Sequence, residues 1–161
     1  MSLVNYTDYD SIRAALGVSS DEIGDDILSL PLYEDYLASD LEDVHIDLDA
    51  KHTLTAAIAV PSDEEKRFLR YSRLFATYSV ARALTSTLPM FSPKSIEDGK
   101  AKMDRYNDPY KATITAVLGE FERWKSSLLT AYLALGASAT ASVTRSYMST
   151  VTPGSDPITG A

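Results

Sequence analysis

The chain has 161 residues, 45% of them hydrophobic and 24% charged, which is enough for one hydrophobic core and short for two. It has no cysteine, which excludes disulfides, a thiolate nucleophile and a Cys-ligated metal. No stretch has the basic-then-apolar layout of a signal peptide, and no apolar run approaches the ~20 residues that span a bilayer, so a soluble protein made in the cytoplasm, with no membrane partner, is expected.

The net charge of −8 is unevenly placed. Residues 1–50 hold thirteen acids and a single base, Arg13, a net of −12. Residues 51–161 hold fourteen bases and ten acids, a net of +4. A chain with an acidic end and a mildly basic end can pair head to side with its own copies. The plainer reading is an acidic solvated face. Either way, the balance argues against a free-standing DNA-binding protein, which concentrates basic charge in one patch.

Residues 1–18 read as a short strap and helix, with Thr7 as cap, Asp8 and Asp10 in the first turn, and Ile12, Ala15 and Leu16 on the apolar side. Gly17 stands where a left-handed C-cap belongs. Ser19 to Glu22 is a turn signal. Pro31 permits a fresh first turn, after which Leu32, Tyr33, Tyr36, Leu37 and Leu41 run at helical spacing. Glu34, Asp35, Asp40, Glu42 and Asp43 form the opposite, acidic face. Between 44 and 61, apolar and polar residues alternate, which fits a small hairpin around Ala50-Lys51 or a loop with a short helix.

The strongest pattern is Ser62 to Leu88. Ser62-Asp63-Glu64-Glu65 is a capping box. Phe68, Tyr71, Phe75 and Tyr78 make an aromatic ridge, and Leu74, Ala81, Leu84 and Leu88 a second ridge beside it. A helix apolar over so much of its circumference is surrounded by other helices. Pro89 and Pro93 stop it, and the turn between them carries Met90 and Phe91. Ser95 is expected to cap a short basic helix through about Tyr106, which Asn107-Asp108-Pro109 breaks. A final long helix is predicted from about Tyr110 to Leu135, with Ile114, Val117, Leu118, Phe121, Trp124, Leu128, Tyr132 and Leu135 on one core-facing stripe and Gly136 closing it.

Residues 137–161 are mostly Ala, Ser and Thr and read as an extended or flexible tail. Val143, Tyr147, Met148 and Val151 are more apolar than a linker needs. Together with Arg145 they are the candidate partner-binding residues, the bland alternative being a loose terminus with no role. The expected fold is therefore all-α: a small antiparallel helical bundle over 1–136, with two long helices and short N-terminal helices, and a tail over 137–161.

Chemistry is thinly written. His45, Asp47, Asp49 and His52 are the one cluster of metal-ligand types, but their spacing matches no tight metal motif and a solvated turn is the default. A small metal-dependent enzyme around them is the weakest reading. There is no Gly-rich phosphate loop and no recognisable nucleophile context, so no catalytic residue, no cofactor and no metal site is expected. Arg67, Arg70, Arg73 and Arg82 interleave with aromatics. Bridging of acidic helices or subunits explains them better than nucleic acid, given the negative net charge.

Three segments together carry a resemblance. The first runs from Leu16-Gly17-Val18-Ser19 through Asp25-Asp26-Ile27-Leu28 and Leu30-Pro31-Leu32-Tyr33 to Leu41-Glu42-Asp43-Val44. The second is Arg67-Phe68 with Ala76-Thr77-Tyr78-Ser79-Val80-Ala81 and Leu88-Pro89-Met90. The third is Pro93-Lys94-Ser95-Ile96, Asp98-Gly99-Lys100-Ala101 and Arg105-Tyr106. Over roughly residues 8–135 this order resembles the head–tail connector (adaptor, or head-completion) proteins of tailed bacteriophages, in pattern more than in any fixed site.

The resemblance implies a structural virion protein in the neck, not an enzyme. It implies a homo-oligomeric ring, commonly twelvefold, under the portal protein. Such a ring extends the DNA channel and docks tail or nozzle components, and genomic DNA passes through without sequence-specific binding. The competing reading is a small helical module that binds a single phage or bacterial protein. For a ring, the expected contact sets Asp25, Asp26, Glu34 and Asp35 of one copy against Arg67, Arg70 and Arg73 of the next, with Met90 and Phe91 in the subunit interface.

Overall fold

The structure is a computed structural model that describes residues 2–85, 95–98, 101–104 and 111–148, with the backbone alone at 95–98, 101–104 and 137–148. It is helical, with helices α1 (Tyr9–Leu16), α2 (Asp25–Leu28), α3 (Pro31–Val44), α4 (Leu48–Ala56), α5 (Asp63–Leu84) and α6 (Lys111–Met148). A single 3-10 turn, Leu3–Asn5, precedes α1.

The central helix α5 starts as its sequence dictates. Ser62 accepts from the Glu65 amide, and Glu65 accepts from the Ser62 amide at 2.7 Å. Three acids in the first turn and Arg82 in the last complement the helix dipole. Phe68, Phe75, Ala76, Val80 and Ala81 are fully buried, while Tyr71 and Tyr78 pack partly buried against the core. α1, α3, α4 and α6 all pack on α5. α6 runs antiparallel to it: ring contacts pair Phe75 with Phe121 at 5.3 Å, Tyr71 with Trp124 at 5.7 Å and Phe68 with Tyr132 at 6.4 Å.

Several expectations are corrected. Asp8, not Thr7, caps α1 by accepting from the Ser11 amide, and the Thr7 hydroxyl instead meets Thr77 on α5 at 2.6 Å. Gly17 does adopt the left-handed conformation, at φ 70°. Of the two readings open for segment 44–61, the short helix holds and the hairpin does not, because Leu48, His52 and Thr55 bury at i, i+4 and i+7. On α3, Tyr33, Leu37 and Leu41 are buried as expected, but Leu32 and Tyr36 face solvent and Asp40 is buried. On α6, Leu118 is 44% exposed and leaves the predicted core stripe.

Residues 95–104 also depart from expectation. They form an antiparallel pair, β1 (Ser95–Asp98) with β2 (Ala101–Asp104), in the register Ser95↔Asp104 to Asp98↔Ala101, and no helix. Asp98 and Ala101 are joined by two residues led by a glycine, which is a hairpin signal. Finally, α6 does not close at Gly136 but continues to Met148, so the first part of the expected tail is helical. One glycine costs about 1 kcal/mol in a helix, and the alanines at 134, 137, 139 and 141 are the best helix formers, so the stop signal is too weak. Pro89, Met90, Phe91, Pro93, the Asn107–Pro109 breaker and Val151 lie outside the described residues.

Phe75→Ala should cost about 3–5 kcal/mol, since it empties a buried site between α5 and α6. Ser62→Ala should cost about 1 kcal/mol through the lost cap. Urea unfolding of the two variants beside the parent checks both values.

Candidate functional site

Three polar clasps hold the helices in place, and they decide which charged residues remain free. The first surrounds Arg13, the one base of the acidic half. Its side chain is 8% exposed, its Nε donates to the Ile23 carbonyl at 2.8 Å, and its guanidinium reaches Asp10 and Asp25. The second is Asp40, which accepts from the Ser79 hydroxyl at 2.5 Å and from Arg82 at 2.7 and 2.9 Å, tying α3 to α5. The guanidinium of Arg82 also lies 4.4 Å from the centre of the Phe121 ring, so one side chain joins α3, α5 and α6.

The third clasp is the N-terminal strap. The Leu3 amide donates to Glu34, and the Tyr6 hydroxyl donates to Asp49 at 2.7 Å. The Tyr6 ring stacks on His52, centroids 3.9 Å apart. Burial, and then the bond to Asp49, push the Tyr6 phenol well above its ordinary range. Burial also holds His52 below its usual 6.5, against the weaker opposing pull of Asp49.

The predicted interface residues therefore divide. Asp25 is taken by Arg13, Glu34 by the Leu3 amide, and Arg73 by Asp8. Asp26, Asp35, Arg67 and Arg70 are exposed and make no ion pair among the described residues, although the Arg70 guanidinium lies 5.4 Å from the Tyr71 ring centre. Val143, Arg145, Tyr147 and Met148 lie on the last turns of α6.

The suggested metal cluster is not assembled. His52 stacks on Tyr6 while His45 lies tilted against Tyr132, 4.4 Å between centroids, and Asp49 is occupied by the Tyr6 hydroxyl. Among the described residues, no three His, Cys, Asp or Glu side chains are grouped to hold a metal ion.

Among the described residues, two surfaces stand out as uncovered. One is the outer face of α3, where Leu32 is 53% and Tyr36 45% exposed, with Asp35, Ser39, Glu42 and Asp43 around them. The other is a groove of about 290 Å³ between α5 and α6, lined by Glu64, Arg67 and Tyr71 on one side and by Ser127, Thr130, Ala131 and Ala134 on the other. The groove exists because α6 carries only small side chains on that flank. Ser127 and Thr130 donate their hydroxyls back to the carbonyls four residues earlier, which leaves the oxygens as acceptors. Sequence reasoning placed Asp35 and Arg67 in a subunit contact but missed the apolar anchors Leu32 and Tyr36 and the small-residue groove. The signals were present as the i, i+3, i+4, i+7 spacing of small residues on α6, and as Leu32, Asp35, Tyr36 and Ser39 sharing one strip of α3.

No protein-family model, curated protein or solved structure matches this chain.

Two outcomes follow from the clasps. The unfolded chain binds a proton at His52 that the folded chain resists, so this stabilisation is intact above about pH 6.5 and is lost as pH falls through that value. Urea midpoints from pH 8 to pH 5 should fall in the parent and flatten over this window in His52→Phe, which keeps the stack on Tyr6. Asp40→Ala should cost about 2–3 kcal/mol, because it leaves Ser79 and Arg82 unpaired while the partly exposed arginine still reaches water.

Proposed function

We propose that this chain is a structural virion protein of a tailed bacteriophage. It assembles as a homo-oligomeric adaptor ring, twelvefold by the resemblance, between the capsid portal and the tail. The ring extends the DNA channel and docks tail or nozzle components. Its place is the neck of the virion, after synthesis in the host cytoplasm.

The observation that carries this reading is the mismatch between the two long helices. α6 has 38 residues and α5 has 22, lengths of about 57 and 33 Å. Because the pair is antiparallel, and its ring contacts place Tyr132 beside Phe68 near the start of α5, α6 continues past the bundle after about Gly136. A helix segment of this length is marginal in water without a surface to pack on. In this reading a partner supplies that surface to the segment that carries Val143, Arg145, Tyr147 and Met148. In the proposed role that partner is the portal. The exposed carboxylate of Asp26 suits a wall facing DNA, since it repels phosphate and lets it pass. Among the described residues no helix is long and apolar enough to cross a membrane.

The overrun equally suits a helical module that inserts one helix into the groove of a single protein partner. Stoichiometry separates the two readings. Tagged full-length protein and a version ending at Gly136 are used as bait in lysate of infected cells, and the retained proteins are identified by mass spectrometry. The adaptor role predicts that full-length protein retains a portal-type ring protein and that the truncation loses it. If both baits retain the portal, the role stands and the contact lies in the bundle. Retention of one non-virion partner at one-to-one stoichiometry establishes the module reading in its place.

A further inference from the structure

We infer that the outer face of α3 in one copy docks into the α5–α6 groove of a second copy, with Tyr36 and Leu32 as apolar anchors and Asp35 paired with Arg67. The inference rests on the assembly reading above for its occupant, and the residues come from the structure.

The argument begins with exposure. Tyr36 and Leu32 are four residues apart on α3, so they sit one turn above the other on a single strip. Both are about half exposed although neighbouring Tyr33 and Leu37 are buried, so α3 offers apolar surface on two faces and the bundle covers only one. An amphipathic tyrosine with an aspartate beside it is the composition of an interface anchor.

The groove has the complementary character. Ala131 and Ala134 give it an apolar floor, the Ser127 and Thr130 oxygens are free to accept from a phenol, and Arg67 stands at the rim. Arg67 has no ion pair among the described residues, and neither does Arg70 one turn further on. Glu64 is also on the rim, but it lies in the first turn of α5, where the helix dipole favours its charge. The cation at the rim is thus left for an incoming carboxylate. After the internal clasps are formed, Asp35 is a carboxylate of the acidic half that is exposed, unpaired among the described residues and adjacent to an apolar anchor.

Geometry makes the contact head to tail. Tyr132 of α6 faces His45 at the end of α3. Ser127, Thr130 and Ala134 lie about 140–160° around the α6 axis from Tyr132. The α3 ridge and the groove are therefore on opposite flanks of the bundle, and one copy presents both halves of the contact to different neighbours. Such a heterologous contact repeats from copy to copy, and it makes a ring where its rotation closes.

The chain has no cysteine, so placed thiols report without background. Ser39→Cys stands beside the anchors and Thr130→Cys in the groove, and both positions are exposed. The double-cysteine protein is treated in solution with a short bis-maleimide. It should give a ladder of trimers and larger species, whereas each single-cysteine protein stops at symmetric dimers. Adding Arg67→Glu, or Asp35→Arg, should reduce the ladder several-fold, and the two changes together should restore it. Circular dichroism verifies that each variant is folded. A ladder no stronger than the dimers of the single variants overturns the inference, and so does a ladder indifferent to the charge reversals. The outcome is separable from the portal capture above: a charge-dependent ladder without portal capture leaves the docking intact and removes the adaptor role, and portal capture without a ladder does the opposite.

Discussion

The structure depends on α5 being apolar around most of its circumference. A 22-residue helix that buries Phe68, Phe75, Ala76, Val80, Ala81 and Leu84 cannot satisfy them against one neighbour. Helices α1, α3, α4 and α6 therefore gather on it from several sides, and the remaining elements connect those four. The buried hydroxyls of Ser72, Thr77 and Ser79 fit the same constraint. Ser72 donates to the Phe68 carbonyl, Thr77 meets Thr7, and Ser79 donates to Asp40, so each of these three hydroxyls has a defined partner. These partners also fix which helix sits on which side, since apolar contact alone is not directional.

Charge in this chain has two uses, and the clasps separate them. Arg13 and Asp40 are largely removed from water, and each is held by a charge on another segment, Asp25 and the partly exposed Arg82. A pair with one buried member is weak evidence of net stability but evidence of a fixed arrangement, because the buried charge left alone is costly. Asp26, Asp35, Arg67 and Arg70 stay on the surface, where a pair with a neighbour contributes little energy but orients an encounter. The acidic excess of residues 1–50 is thus a mixture of interior fasteners and exposed groups.

Much of the fold is legible in the sequence. The capping box at Ser62, the aromatic ridge of α5, Pro31 at the head of α3 and Gly17 at the end of α1 are local signals with local causes. The misreadings occur where two signals compete or where tertiary contact decides. Alternation at 44–61 is also compatible with a helix that buries every third or fourth residue, and packing on α5 chose the helix. Asp40 looked like one acid among several, because nothing local reveals that Ser79 and Arg82 wait 39 and 42 residues away. Gly136 looked like a stop, yet an alanine-rich run carries a helix through one glycine. The two unoccupied surfaces were hidden for the same reason: periodicity identifies the residues that share a face but does not say which face is covered.

The overrun of α6 and the groove belong to the same end of the bundle. The groove spans Glu64 to Tyr71 on α5, the first turns of that helix, and ends at Ala134 on α6, just before the helix passes beyond its partner. In the proposed assembly, a copy docked in the groove would stand beside the root of the overrun, so self-docking would orient the segment offered to the portal. The two contacts nevertheless use different residues. Removal of everything after Gly136 leaves Arg67, Ser127, Thr130, Ala131 and Ala134 in place, and reversal of charge at Asp35 leaves α6 whole. If docking does orient the overrun, charge reversal at the groove should weaken capture of the partner without abolishing it, while truncation should leave self-docking untouched. That asymmetry is what a two-contact assembly element requires, and a module with a single binding face has no reason to display it.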